Sequence, residues 1–593
     1  MDQNTKDILL VALNAKFIHS SLALRSLRAY CSPYKDKISI AEYTINHHPD
    51  FILREIYKQK PKIIGFSCYI WNIEYVLSLV SVIKQIMPKT MIFLGGPEVS
   101  YDSEFWLREH KEVDFIIQGE GEETLYELIQ YFYKEGKIKT LEEIKGICYR
   151  QGDKIYEGPS RFPLNLNTIP FVYDSNEFKE LKNRIIYYES SRGCPYQCQY
   201  CLSSVEQGVR YLSLDRVFSD LQQFLNHKVK QVKFVDRTFN CNPDRALAIW
   251  KYLKEHDNGI TNFHFEISAD ILKPSILDFL STVRKKQFQF EIGVQSTHST
   301  TIEYIRRKMD FKELSEVVKT IQAGHNIHQH LDLIAGLPGE SYRRFQQSFN
   351  DVYDLQPEKL QLGFLKLLRG SGLRRDANKY GLIYQKKAPY EILSTAHLSY
   401  GDLLKLKMIE EMVEIYYNGG KFLNSMRYLL FYFSHPFEMY EELAAYWEKQ
   451  NYHAIQHNKY RLYEILLEFF QEKNPTSNVA LFKEVLKFDM YLQENVKSPP
   501  QWSTSSITVE EKQKIRDFFK EENMIQTYLP QLQEYTSKQI GRMVHIEIFE
   551  YDWINWIDQW QEKEPKKIKT PILFNYYDRS HVLGQAGCCK VPL

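Results

Sequence analysis

Three cysteines, Cys194, Cys198 and Cys201, stand at CxxxCxxC spacing directly after an apolar β-type run at 185–189. Gly193 and Pro195 flank the first of them and break regular structure, so the thiols lie in a loop. A helix would scatter this spacing over its faces. A loop can wrap all three thiols around one small object. A closed structural zinc site takes four ligands, and no fourth Cys or His stands nearby in sequence. An iron–sulfur cluster is usually held by four thiolates. Three would anchor three irons and leave the fourth open to a small-molecule chelate. Three free cysteines in a turn is the alternative; the preceding strand, the glycine and the proline favour the cluster.

Upstream of this loop, five short apolar runs at 8–13, 38–44, 63–68, 91–96 and 115–119 alternate with amphipathic stretches at 22–30, 49–58, 73–87 and 122–134. That alternation predicts a doubly wound, Rossmann-like parallel sheet. Ligands of such sheets sit beyond the carboxyl ends of the strands. Asn14 to His19, Ser67 to Trp71, Gly95-Gly96-Pro97-Glu98 and Gln118-Gly119-Glu120-Gly121-Glu122 all fall there. Adjacent glycines let a flat ligand approach the backbone. No GxGxxG follows the first strand, which disfavours a dinucleotide. A purely structural role for these glycine-rich loops stays open. Residues 146–157 read as a β-hairpin, Cys148 within it as a buried small hydrophobe, and 158–170, with three prolines, as a linker.

A second β/α series follows. Strands are expected at 185–190, 231–236, 263–268, 288–294, 329–335 and 359–367, with helices between, for example at 214–225, 245–255 and 313–323. Six units are too few for a closed eight-stranded barrel. In parallel barrels the reacting groups come from the carboxyl ends of the strands. Those ends carry Asp236, Glu266, Gln295 and the turn Gly336-Leu337-Pro338-Gly339. Carboxylates inside apolar strands need partners.

The CxxxCxxC loop, with Tyr200 before its last cysteine, and the Gly-Leu-Pro-Gly turn resemble the radical S-adenosylmethionine superfamily. The resemblance implies an open partial (β/α)6 barrel. It also implies a 4Fe–4S cluster on Cys194, Cys198 and Cys201, S-adenosylmethionine on the open iron, and a one-electron donor such as flavodoxin or ferredoxin. It places Tyr200, Glu266, Gln295, Gly336 and Pro338 around S-adenosylmethionine. Asp236 stands where other members use a carboxylate to hold the ammonium; a helix cap or surface role stays open for it. Glu266 and Gln295 remain equally readable as structural polar residues. The segment at 369–372 is expected near the adenine. Cys241 reads as a buried bystander or a thiol near the substrate.

The N-terminal pattern, through its GGPE and QGEGEE stretches, resembles the cobalamin-binding domain found ahead of many such barrels. Asn14, His19, Ser67, Gly95, Gly96, Glu98, Gly119 and Glu120 are then the candidate cobalamin contacts. Domains that replace the lower axial ligand of cobalamin carry Asp-x-His-x-x-Gly. Here Phe17 stands in place of the Asp and Leu22 in place of the Gly, so His19 is expected to cap or line the pocket rather than ligate cobalt.

Four parts are therefore expected: 1–140, a cobalamin-binding Rossmann-like domain; 141–180, hairpin and linker; 181–370, the barrel; 371–593, a mainly helical domain. The last part reads as helices at 403–417, 426–433, 440–449, 460–472 and 479–492, broken by Pro436, Pro475 and Pro499-Pro500. Two late β-like runs follow at 545–550 and 571–577. It carries no metal spacing, repeat or nucleophile motif, and resembles the uncharacterised extension of some cobalamin-dependent radical enzymes. The pair Cys588-Cys589 reads as an exposed flexible tail, with a redox or substrate-bridging role as the alternative.

Charge bounds the partners. Lys+Arg 76 against Asp+Glu 75 gives no broad electrostatic grip on nucleic acid. No apolar run reaches the length of a membrane span, and residues 1–7 do not read as a signal peptide. Nine cysteines, three of them in the loop, do not form a disulfide framework; a reducing cytoplasm is expected. The resemblance implies reductive cleavage of S-adenosylmethionine and methylation of an unactivated carbon of a small-molecule or peptide substrate. A radical cyclase, rearrangement or oxidation enzyme with the same cofactors is the second reading, and a sensor without turnover the third. A methylthiotransferase is disfavoured, because residues 1–140 offer only Cys31 and Cys68 as further thiols.

Overall fold

Strand β1, Ile8–Asn14, is apolar almost throughout and nearly fully buried. That is the mark of a parallel strand covered on both faces. A computed structural model describes residues 6–205, 208–474, 478–504, 507–559, 564–579 and 584–593; Met1 to Thr5 and Pro475 lie outside them. Around β1 assemble β2 (Ile38–Thr44), β3 (Ile63–Ser67), β4 (Met91–Gly95), β5 (Phe115–Ile117), β6 (Ile147–Gln151) and β7 (Lys154–Glu157). The order is β2-β1-β3-β4-β5-β6-β7. The first five are parallel. The hairpin β6–β7 joins this sheet antiparallel at β5. Gly65 is needed in β3 because the Phe93 ring packs flat on it: a Cβ would sit 2.1 Å from Cζ. Helices Leu22–Tyr30, Pro49–Gln59, Ile73–Ile86 and Glu122–Tyr133 cover the sheet, close to the stretches their periodicity predicts.

The second series opens with β8 (Ile186–Tyr188). The antiparallel hairpin β9 (Ser191–Cys194) and β10 (Gly208–Tyr211) follows. Then β11 (Gln231–Phe234), β12 (Asn262–Ile267) and β13 (Phe288–Gln295) pair in parallel in the order β13-β12-β11-β8. The β/α alternation runs on through β14 (His328–Ala335) and β15 (Lys359–Phe364), which makes six strands. The ends of the last two meet where Leu365 N–H donates to Ala335 O at 2.9 Å. Phe234, Phe263, Phe265, Phe288 and Phe290 are fully buried. The alternate residues Lys233, His264, Glu266 and Glu291 lie on the opposite face of the strands and line the barrel interior. A short antiparallel pair, β16 (Ile383–Tyr384) and β17 (Ile392–Ser394), follows.

The chain divides into two compact units. The first comprises residues up to Thr320 with Ile334–Ser341 and Gly363–Tyr400. The second comprises Ile321–Leu333, Tyr342–Leu362 and Gly401–Leu593. In the second unit, helices Leu423–Leu430, Pro436–Lys449, Lys459–Lys473 and Val479–Gln493 pack through a dense aromatic core. Asp489, fully buried, accepts from Ser425 N–H and from the Ser425 hydroxyl, both at 2.7 Å. Three strands, β18 (Val544–Phe549), β19 (Thr570–Asn575) and β20 (Gly587–Lys590), form an antiparallel sheet. Cys588 and Cys589 are therefore not a flexible tail: they pair opposite Phe574 and Leu573 as the edge strand. The correction is physical, since their backbone groups find ladder partners.

Candidate functional site

The cysteine loop is set by its first turn. Asp236, 1% exposed and just beyond β11, accepts from Ser190 N–H at 2.8 Å and from the Ser190 hydroxyl at 2.7 Å. It also accepts from the Ser191 hydroxyl at 2.5 Å. Both its oxygens are engaged by the loop. Burial pushes its carboxyl up to about 6, with Glu189 adding to the rise and the serine donors opposing it. The unfolded chain ionises this group in the ordinary carboxylate range. The folded form thus holds an extra proton between that range and about 6, and stability falls as pH rises through the window. Asp236→Asn is expected to flatten that slope. Asp236→Ala, which strands the buried Ser190 N–H, is expected to cost about 1–3 kcal/mol. Urea unfolding at pH 5 and pH 7 measures both; a pH slope unchanged in Asp236→Asn refutes the assignment.

Strand β9 then delivers Cys194 beside β10. Gly193 has φ +96°, and a Cβ there would lie 2.2 Å from Gly208 O, so only glycine fits. Cys201 N–H closes back on Cys198 O at 3.1 Å. Gln199 in the middle is clamped from both sides: its N–H donates to Ile305 O and its O accepts from Leu373 N–H, each at 2.9 Å. Arg307 underlies the loop. It donates to the Tyr200 hydroxyl at 3.1 Å and also to Gly293 O. Burial pushes the Cys198 thiol up, while Arg307 favours its thiolate. All three thiols are free of disulfides. Cys241, half-buried, lies 3.3 Å from the Tyr211 hydroxyl.

Further round the barrel, Gln295 closes β13 with φ +72°, a backbone region costly for a residue with a Cβ. It is 8% exposed, and its buried Oε1 has no hydrogen-bond partner among the described residues. Gly293 makes room for the Gln295 amide: a Cβ there would be 2.3 Å from Nε2. Burial, and then the neighbouring Glu291, pushes the Glu266 carboxyl up to about 7. Glu291 itself is paired with Lys233 at 2.8 Å and His264 at 3.0 Å. Gly336 has φ +89° and packs on Ile392, with Pro338 beyond it in the same turn.

On the Rossmann-like sheet, Asn14 donates to His19 O at 3.1 Å. The His19 Nδ1 lies 2.6 Å from the Tyr187 hydroxyl of β8, and burial holds its pKa below the usual value. Ser67 is buried, with a hydroxyl that has no partner among the described residues. Gly95 ends β4 and Gly96 follows it; Gly96 has φ +108° and lies against Cys68 O. A Cβ on Gly119 would meet nothing within 4 Å. The open Gly119 and the orphaned Ser67 hydroxyl suit a large ligand at the strand ends.

Glu98 and Glu120 are both paired with groups of this protein. Glu98, 2% exposed, accepts from the Tyr390 hydroxyl at 2.5 Å, with Arg369 3.5 Å away. Arg369, from the segment expected near the adenine, donates at 2.6 Å to Asp102. Glu120 is held by Arg210 and lies 3.5 Å from Arg192. Arg192 also bonds Glu122 at 2.6 Å and Glu189 at 2.9 Å. Arg192 and Arg210 are directly opposite in the β9–β10 hairpin, so two like charges face each other and the QGEGEE carboxylates neutralise them. This weld, in which the N-terminal loop grips the cysteine hairpin, is not signalled by any local motif, nor is Arg307.

Comparison with known proteins agrees with this division of labour. Residues 8–129 match a family model described as a B12 binding domain, and residues 188–352 match the radical SAM superfamily. Residues 378–574 match DUF4080, a protein family of unknown function. The cobalamin-dependent radical SAM methyltransferase TokK of Streptomyces tokunonensis is 26% identical over 350 residues, 56% of this chain and 51% of TokK. The chain thus spans about half the length of that relative. The anaerobic magnesium-protoporphyrin IX monomethyl ester cyclase of Synechocystis sp. is 22% identical over 355 residues, 56% of this chain and 68% of the cyclase. The structure of the cobalamin-dependent S-adenosylmethionine radical enzyme OxsB superposes with TM-score 0.55 at 14% identity, covering 89% of this chain and 84% of OxsB. At that identity it supports the fold alone. The cofactors that go with these two domains are a 4Fe–4S cluster, S-adenosylmethionine and cobalamin, and the three free thiols and the open Gly119 beside the unpartnered Ser67 hydroxyl fit them. Residues 8–129, 188–352 and 378–574 thus match, in chain order, a B12 binding domain, the radical SAM superfamily and a family of unknown function.

Proposed function

We propose that the protein cleaves S-adenosylmethionine reductively and methylates an unactivated carbon of a small-molecule or peptide substrate. When bound, the cluster with S-adenosylmethionine supplies a 5′-deoxyadenosyl radical and cobalamin supplies the methyl group. The observation that carries the reading is the weld of Glu120 and Glu122 to Arg192 and Arg210. It fastens the B12 domain's strand-end loop to the hairpin that bears Cys194. Cys194, Cys198 and Cys201 hold the cluster; Arg307 and Tyr200 fix the loop beneath it. Gln295, whose free carbonyl is retained despite a strained backbone, and Glu266 orient S-adenosylmethionine, with the turn at Gly336 and Pro338 against the adenine. Asn14, Ser67, Gly95, Gly96 and Gly119 form the corrin edge; Glu98 and Glu120 position that edge. Asp236 braces the cysteine loop.

The four-part division, at about 140, 180 and 370, is part of this proposal. So is a reducing, cytoplasmic setting, which nine free cysteines favour. Among the described residues no helix is long and apolar enough to cross a membrane. Anaerobic reconstitution with cobalamin tests the whole reading. Corrin bands, four irons per chain, 5′-deoxyadenosine and a product heavier by one CH2 equivalent are expected. A product without that gain would shift the assignment to the cyclase reading, which the Synechocystis similarity favours as second. Corrin bands and a cluster without any S-adenosylmethionine cleavage would mark a sensor.

His19 lines the cobalamin pocket rather than ligating cobalt. Phe17, which stands where a polarising carboxylate would be, lies beneath Arg184, so the partner of the imidazole Nδ1 is the neutral Tyr187 hydroxyl and not a carboxylate. Electron paramagnetic resonance of the Co(II) form is expected to look alike in wild type and His19→Ala. Nitrogen splitting that vanishes in the variant would refute this.

A further inference from the structure

The Gln199 clamp has an outer side. The two segments that grip the middle of the cysteine loop, 303–308 and 372–380, also meet each other: the rings of Tyr304 and Tyr380 lie 5.6 Å apart. Gly372 lies so close to the loop that a Cβ would come within 2.0 Å of Gln199 Oε1. The inner residues of both segments are used structurally. Arg307 holds Tyr200, and Arg374 donates to Leu367 O at 2.8 Å.

The outer residues are not used in that way. Arg306, Lys308, Arg375 and Lys379 are exposed, the Arg375 side chain by 75%. Arg306, Lys308 and Lys379 form no ion pair among the described residues. Arg306, at φ +51°, donates its N–H to Glu303 O at 2.9 Å and so finishes the helix Ser299–Tyr304, leaving its side chain exposed. The carboxylates alongside are fewer: Glu303 and Asp310 are exposed, and Asp376 lies 3.8 Å from Arg375. A chain of formal net charge +1 thus gathers exposed cations on the surface that backs its cysteine loop.

We propose that this face, Arg306, Lys308, Arg375 and Lys379 around Tyr304 and Tyr380, docks an acidic one-electron carrier protein of the flavodoxin kind. The inference rests on the cluster reading above and adds where the electron enters. A carrier must approach a buried acceptor closely, and its orientation is set by charge. Complementary potentials steer encounter and fix register, while the exposed Tyr304, packed on the half-buried Tyr380, supplies the contact core amid the cations. The step is a bare electron transfer: the carrier's hydroquinone becomes the semiquinone, the cluster gains one electron, and no atom moves between the proteins.

The test uses the reconstituted full chain and a flavodoxin of strongly negative net charge. Binding of the oxidised flavodoxin is measured by thermophoresis at several salt concentrations, so no turnover is needed. For R306E/K308E/R375E/K379E the dissociation constant is expected to rise at least about tenfold and its salt dependence to flatten. Dithionite-driven cleavage of S-adenosylmethionine is expected to stay within about twofold of wild type, because none of the four holds a cofactor. An unchanged dissociation constant and salt slope would overturn the proposal, as would an equal loss of dithionite-driven cleavage. Carboxylate–lysine cross-linking of the wild-type complex is independent of the variant's folding. Cross-links at Lys308 and Lys379 are expected, and cross-links confined to other surfaces would overturn the proposal. Absence of dithionite-driven cleavage in wild type would instead remove the cluster reading, leaving the binding result to stand by itself.

Discussion

Serine in place of Cys194, Cys198 or Cys201 is expected to strip the protein of its cluster and of its ability to cleave S-adenosylmethionine, by at least about 100-fold. Outer partners of a metal ligand already contribute about 10–100-fold, and a ligand contributes more. Serine is nearly isosteric but offers a hard oxygen of high pKa where iron–sulfur chemistry requires a soft thiolate. The control lies inside the same site. Cys241 approaches the loop closely enough to share a hydrogen bond with Tyr211 of β10, yet it is not one of the three. Cys241→Ser is expected to keep full iron content, and Cys148→Ser, at a position 1% exposed in β6, likewise. Iron and sulfide analysis with 5′-deoxyadenosine formation separates these outcomes. Retained iron in any of the three loop variants, or iron lost equally in Cys241→Ser, would refute the trio as the ligand set.

Removing Arg192 is expected to be the most destabilising single change in the first unit. Its guanidinium, 17% exposed, is bonded to Glu122, 6% exposed, and to Glu189, with Glu120 close by. Breaking a buried pair from one side leaves uncompensated charge and costs about 3–5 kcal/mol. Arg192→Met should therefore lower the first unfolding transition strongly. Adding Glu122→Gln should recover much of the loss, because the stranded carboxylate is then gone. Burial alone would raise the Glu122 carboxyl, but Arg192 and Ser26 hold it below the ordinary range. Its contribution is therefore present above the unfolded carboxylate pKa and is lost as pH falls through the lower folded value. Wild type should lose this increment in acid and Arg192→Met should not. A loss under about 1 kcal/mol, or no recovery in the double variant, would show that the weld is incidental.

Much of this was legible in the chain. Apolar runs located the parallel strands from Ile8–Asn14 to Lys359–Phe364 within a few residues, because buried parallel strands leave near-continuous apolar runs, whereas the short hairpin β9–β10 was read as loop. The cysteine loop was legible because its spacing, Gly193 and Pro195 are local. Glu98, Glu120 and Asp236 were harder. A carboxylate at a strand end looks the same in sequence whether it faces a ligand or a distant arginine. Tyr390 lies 292 positions from Glu98, and Arg210 lies 90 from Glu120, so no window of sequence contains both partners. Cys588 and Cys589 were misread for another reason: their four-residue run, Gly587–Lys590, is too short to show a strand pattern and becomes one only by pairing with β19.

The Arg192–Arg210 rung bears on how such proteins can be rebuilt. A chimera that imports a foreign N-terminal sheet must bring acids equivalent to Glu120 and Glu122. Without them, two opposed guanidinium groups repel across one hairpin, and the thiol-bearing turn is no longer seated. Modularity here ends at an electrostatic seam, and exchange should succeed only when both sides of the seam travel together.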